Sequence, residues 1–300
     1  ASTALTKVDP AAFQITPISE EVAQVIHEEL DGLGPIPFDT VKVPSGGGIA
    51  FEVPSDDPES PDSEKSLVGV IVYHHCTNAY WANSFDGKNE QPDCASMDGK
   101  TAIWTDTGEL RSCEGCPYNE YGSGADQTGK QGRGKACKNM RRLYLMMSGD
   151  PNLYLLTVPP TSIKDVNRQL AKILAGGVPY TGMILRFTLE KATNANGVAY
   201  SKVVIKKGGI LPAAIAAQAI ALRHQVKEQY QSVAITLDDY TQGHRSQPST
   251  AGRNTARASS AGAPLRRAFT VKTLVRSVIQ NSPLSGGAFW FCSPHCVHIL

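Results

Sequence analysis

The chain has 300 residues, 41% of them apolar, which is enough for one large domain with tails or for two small domains. No run approaches the roughly 18–20 apolar residues of a membrane helix. Residues 1–10 lack the basic-then-apolar pattern of a secretory signal, so a cytoplasmic location is expected. The net charge of +1 hides an asymmetry: residues 1–65 hold thirteen Asp/Glu against three Lys, whereas residues 240–300 hold six Arg and one Lys with no acid. Oppositely charged ends suggest either solvated tails or a polyanionic partner.

Residues 1–35 read as an N-terminal segment with one helix. Ser19 caps it, Val22, Val25, Ile26 and Leu30 fall at helical spacing, and Gly32, Gly34 and Pro35 stop it. Short strands are expected at 38–43 and 48–53, then an acidic, proline-broken loop at 54–65. The stretch from Leu67 to Tyr73 is apolar nearly throughout, as in a strand buried on both faces. Residues 86–136 are rich in Gly, Asp, Asn and Pro and cannot bury much of a core unaided. Strands resume at 142–147 and 153–158. A helix capped by Ser162 carries Ile163, Val166, Leu170, Ile173 and Leu174, and Gly176 and Gly177 close it. A hairpin follows, with strands at 180–192 and 198–206 around Asn194–Gly197, and an alanine-rich helix runs from Pro212 to about Gln231. From residue 232 the chain reads as a disordered basic tail.

This order gives a fold class of α+β, mainly β with helices. The expected architecture is an antiparallel barrel like the oligonucleotide-binding (OB) fold, formed by residues 36–231 with a metal-binding insertion at about 86–137 and flanking helices. The metal expectation rests on four cysteines. Cys113 and Cys116 form a C-x2-C knuckle, with eighteen residues between Cys94 and the knuckle and twenty between the knuckle and Cys137. Four thiolates satisfy the tetrahedral preference of Zn2+ and leave no open position, so the zinc is expected to be structural. His74, His75 and Cys76 are a rival ligand source, though a histidine at the end of an apolar strand is more often buried or hydrogen-bonded. Cys292, His295, Cys296 and His298 form an irregular second cluster in the tail.

The segment from Gly129 to Arg142 carries six basic residues and no acid: Lys130, Arg133, Lys135, Lys138, Arg141 and Arg142. Cations on a glycine-rich loop can follow a phosphate backbone. Aromatic residues cluster nearby in sequence: Tyr73, Tyr80, Trp81, Phe85, Trp104, Tyr118, Tyr121 and Tyr144. Tyr80, Trp81 and Tyr144 are taken as nucleic-acid contacts, the first two because their setting is polar. No recognition helix is evident, which favours single strands over the major groove. Neither a phosphate-binding G-x4-G-K-[ST] loop nor a G-x-S-x-G elbow occurs, so no enzymatic activity is expected.

Several segments together resemble a phage and integrated-element family of single-stranded DNA-binding proteins: Gly69–His75, Asn78–Trp81, Pro92–Gly99, Cys113–Pro117 and Gly134–Tyr144. The resemblance implies sequence-independent DNA binding in replication or recombination, with proteins of those processes as further candidate partners. The chain departs from single-strand-binding proteins in lacking an acidic C-terminal tip. Two alternatives stay open: a zinc-stapled RNA-binding or regulatory module, and a metal-dependent nuclease using His74, His75 and Asp86.

Overall fold

The computed structural model describes residues 8–15, 19–29, 38–57, 60–82, 91–125, 131–150, 152–194 and 197–230. The basic tail, Lys130, Phe85, Asp86 and the C-terminal Cys/His cluster lie outside these residues. The protein is a mixed α+β structure, mostly strand. Its strands are β1 (Asp39–Val41), β2 (Phe51–Val53), β3 (Asp62–Glu64), β4 (Ser66–Tyr80), β5 (Cys94–Ser96), β6 (Thr101–Trp104), β7 (Leu110–Ser112), β8 (Lys138–Met147), β9 (Leu153–Val158), β10 (Met183–Thr193) and β11 (Ala199–Ile210). Among the described residues, three α-helices, α1 (Glu20–Glu29), α2 (Pro160–Leu174) and α3 (Ala213–Gln229), accompany them.

β4 organises the sheet. One edge pairs with β8 along most of its length. The other edge pairs with β10 at its start, through Ser66–Gly69, and with β5 at its end, through Asn78–Tyr80. The sheet therefore forks, with the hairpin β10–β11 on one branch and the ribbon β5–β6–β7 on the other. The five longer strands lie in the order β9, β8, β4, β10, β11, and α2 connects β9 to β10. Among the described residues the sheet is open, not the closed barrel expected. The free edge of β9 is taken by β1 in parallel pairing, Thr40 opposite Leu155, where a closing strand would have to dock.

Both faces of the sheet are covered. On one, Leu67, Ile71, Leu143, Leu145, Leu156 and Phe187 pack against Val166, Leu170 and Ile173 of α2, with Phe51 and Val53 of β2 beside them. Burying each of those α2 side chains stabilises the fold by about 1.5–3 kcal/mol. On the other face, Val70, Val72, Tyr144, Met146 and Leu155 meet Ile215, Ala219, Leu222 and Val226, which recur on one stripe of α3. Phe13, 2% exposed, joins this second core. The Ile15 N–H donates to Gln218 Oε1 and the Gln218 side-chain amide donates back to the Ile15 carbonyl, so residues 8–15 pack as part of the domain.

β4 runs through the polar residues His74–Tyr80, well past the expected end at Tyr73. Ile71 faces Leu145, yet Tyr73 faces Tyr144, so Val72 is an extra residue in a bulge. The bulge inverts the alternation. Beyond it His74, Cys76, Asn78 and Tyr80 turn to the α2 face, and Tyr73, His75, Thr77 and Ala79 to the α3 face. A strand expected at 142–147 begins four residues earlier, at Lys138, to pair with this extension. Ser162 is not the helix cap. α2 starts at Pro160, and the buried Ser162 hydroxyl instead accepts from the Val203 N–H at 3.1 Å, tying helix to β11. Ser19 does cap α1, its hydroxyl accepting from the Val22 N–H, although Val22 and Val25 are about half exposed.

Candidate nucleic-acid interface and cysteine module

The insertion between β4 and β8 is a ribbon of short strands completed by a 3-10 turn at Pro117–Asn119. It brings all four expected cysteines to one place. Cys94 opens β5, Cys113 follows β7, Cys116 precedes the 3-10 turn and Cys137 leads into β8. Together with Tyr80, Trp104, Arg111 and Tyr118 they line a cavity of about 240 Å³. Gly115 makes the knuckle possible, because its φ of 69° lies in the left-handed region. The Cys113 N–H donates to the Lys100 carbonyl at 2.7 Å and the Cys137 N–H to the Tyr118 carbonyl at 2.8 Å, so backbone pairing sets both thiols. Burial, reinforced by Cys113, Cys116 and Cys94, pushes the Cys137 thiol up to about 12. Burial and the Cys113 and Cys116 thiols also raise that of Cys94. Among the described residues, no group of three or more His, Cys, Asp or Glu side chains stands at metal-coordinating spacing. All four thiols line the one cavity.

Asparagines join the module to the sheet. Asn139 on β8 donates to Asn78 Oδ1 on β4 at 2.7 Å and to Asn119 Oδ1 at 3.0 Å. Asn119 donates to the Cys113 carbonyl, and Asn78 to the Gly99 carbonyl. Gly99 is fitted to this spot: its φ is +74°, and an added Cβ would come within 2.9 Å of the Cys76 Cβ. Sequence reasoning passed over the asparagines, since nothing in their spacing signals a shared network.

The expected nucleic-acid contacts within the described residues differ in their settings. Arg133 is exposed, and Lys135 is half-buried, its ammonium 5.0 Å from the Tyr121 ring centroid and donating to Asn119 Oδ1. Lys138, also half-buried, donates to the Lys135 carbonyl. Tyr80 stacks on Tyr118 with centroids 4.2 Å apart, at the rim of the cysteine cavity. Trp81 packs with Ala79, Met140, Ala95 and Met97, less exposed than its polar neighbours suggested. Arg141 is held in place, with Nε donating to Asn167 of α2, one terminal nitrogen to His74 Nδ1 at 2.7 Å and the other to Cys76 Sγ.

Arg142 and Tyr144 must be corrected as surface contacts, being 1% and 0% exposed. Both lie on β8 facing α3, where Tyr144 adds its ring to the second core and its hydroxyl pairs with His75 Nε2 at 3.2 Å. Both belong to the strand expected at 142–147, and its alternation turns these two side chains inward.

Tyr121 belongs to the aromatic cluster seen in the sequence but is not among the contacts chosen from it, although it too sits in a polar, glycine-rich loop. It is 82% exposed and borders a shallow polar depression formed with Gly122, Ser123, Gln131 and Gly132. Arg111 was missed; its guanidinium stands 5.1 Å from the Trp104 ring centroid.

The two histidines are neutral groups. Arginine can only donate, so His74 Nδ1 must accept from Arg141. Burial, then Arg141, pushes the His74 imidazole down to about 4. His75 is likewise lowered to about 4, chiefly by burial and against the hydrogen bond to the Cys76 carbonyl. Among the described residues no helix is long and apolar enough to cross a membrane. Comparisons with family models, curated proteins and solved structures found no match.

Proposed function

We propose that the protein binds single-stranded DNA without sequence preference and without catalysis, acting in replication or recombination of a phage or mobile element in the bacterial cytoplasm. The observation that carries this reading is the pairing of cations with aromatic rings on the cysteine module: Lys135 over the exposed Tyr121, and Arg111 over Trp104. Such pairs offer a base a stacking face and its phosphate a charge side by side, and neither element selects a sequence. The strand order supports an OB-like reading in opened form. β9, β8, β4, β10 and β11 correspond to the third, second, first, fourth and fifth strands of that barrel, with α2 in the place of its connecting helix. The module then occupies the loop between first and second strands, one of the loops with which OB folds bind oligonucleotides.

Structural Zn2+ held by Cys94, Cys113, Cys116 and Cys137 is part of the proposal. The donor set fits it: a closed set of four soft ligands, gathered in one cavity, in a segment with little apolar core of its own. Burial and mutual repulsion keep Cys137 protonated as long as no cation is present, and a divalent cation reverses that balance. When bound, zinc supplies cross-linking and no reaction. The nuclease alternative gains nothing from the histidines, since His75 uses both ring nitrogens and His74 uses Nδ1 in protein hydrogen bonds.

Fluorescence anisotropy of a labelled oligo-dT at two salt concentrations tests the proposal. Tight binding that weakens sharply with salt is expected. Absence of binding at low salt refutes it, and preference for an RNA oligomer of equal length favours the RNA-binding alternative.

A further inference from the structure

Trp104 carries a buried polar atom with no use in the fold as described. Its indole Nε1 is shielded from solvent and has no hydrogen-bond partner among the described residues. Leaving such a donor unsatisfied forfeits its hydration with nothing in return, so its persistence calls for an acceptor. The surroundings narrow the choice. Trp104 is directly opposite Cys94 in the β5–β6 pairing, and residues opposite each other on antiparallel strands share a face. Both side chains line the cavity that also holds Cys113, Cys116 and Cys137. The ring itself is fixed, with Tyr80 and Tyr118 edge-on at 6.0 and 6.2 Å and the Arg111 guanidinium over its face.

We propose that the Trp104 indole N–H donates to a metal-bound cysteine thiolate, that of Cys94, and so serves as a positioning residue for the metal centre. A neutral thiol is a weak acceptor. A metal-bound thiolate retains negative charge on sulfur and accepts well, so the hydrogen bond forms on loading. It also removes part of the charge that four thiolates place around one divalent ion. Outer partners of this kind orient ligands and tune the metal, and their removal typically lowers affinity about 10- to 100-fold. The inference rests on the zinc proposal above.

The test begins with the full chain. Zinc content and thiol protection of the unsubstituted protein come first: failure to bind one zinc per chain through cysteines ends both proposals at that stage. Given binding, Trp104→Phe keeps an aromatic ring and removes only the donor. The expected result is roughly tenfold weaker zinc binding in chelator competition, with a shifted sulfur-to-metal charge-transfer band in the cobalt-substituted protein. Unchanged affinity and an unchanged band overturn the Trp104 proposal and leave the zinc proposal standing. A second measurement covers the case in which the variant folds poorly. In unsubstituted protein the Nε1 proton resonance of Trp104 should be protected from solvent exchange and show coupling to bound cadmium. A protected proton without that coupling also overturns the assignment.

Discussion

Replacing Tyr121 by Ala separates stacking from charge. The side chain is 82% exposed and borders only a shallow depression, so its removal should leave folding stability within about 0.5 kcal/mol of the parent. If one base stacks on the ring, the loss is about 1–3 kcal/mol, or roughly 5- to 150-fold in Kd for oligo-dT. Stacking releases no counterions, so the slope of log affinity against log salt should stay the same. Arg133→Ala provides the opposite signature: modest weakening, with the slope reduced by roughly 0.7 if that side chain meets one phosphate. Anisotropy titrations of both variants across a salt series read the two quantities together. Affinity for oligo-dT within twofold of the parent in Tyr121→Ala would refute Tyr121 as a stacking platform and with it the placement of the interface on this loop.

The two histidines predict acid lability. Their folded pKa values, about 4, lie below the unfolded value near 6.5, so between these limits the unfolded chain binds more protons. Stability is then complete above about pH 6.5 and declines as the pH falls towards 4, by up to about 3 kcal/mol per histidine. Urea unfolding at pH 7 and pH 5 should show a drop that His75→Gln reduces; equal drops in the two proteins contradict the assignment. Arg142→Ala should destabilise the fold by about 2–4 kcal/mol because the side chain is 1% exposed, while leaving the salt slope of DNA binding alone. A changed slope with unchanged melting would return Arg142 to the interface. Cys113→Ser should lose zinc and open residues 90–137 to protease, and unchanged metal content in that variant removes the four-thiolate site.

Periodicity made the regular part of the fold legible. Leu153–Val158 on the sheet and the α2 stripe of Val166, Leu170 and Ile173 follow from alternation and helical spacing, because both depend on local geometry. The polar half of β4 was hidden because it is held by its neighbours. His74, Cys76 and Asn78 are strand residues only because β8 continues to Lys138 alongside them, and the Val72 bulge that points them at α2 leaves no trace in composition. The open sheet was equally invisible: whether β1 or another strand takes the edge of β9 is a long-range choice. The cysteines were readable as a group because their spacing is local chemistry, and the structure does bring them to one cavity. Their environment was not readable, since the Trp104 and Tyr118 rings around that cavity come from strand register and a 3-10 turn.

The asparagine network gives a physical reason for placing the cysteine module at the end of β4. Asn139 belongs to β8, Asn78 to β4 and Asn119 to the turn between Cys116 and Cys137, so three elements distant in sequence share one set of hydrogen bonds. Lys135 enters the same set through Asn119 Oδ1, and its ammonium is the cation that stands over Tyr121. Within the reading proposed here, the position of a DNA-contacting charge therefore depends on the turn that the cysteines hold. Loosening the thiol cluster frees Asn119 from the Cys113 carbonyl, and Lys135 loses its anchor before any strand of the main sheet need separate. Metal loss and weakened DNA binding should then go together while the two apolar cores, which rest on α2 and α3, stay packed.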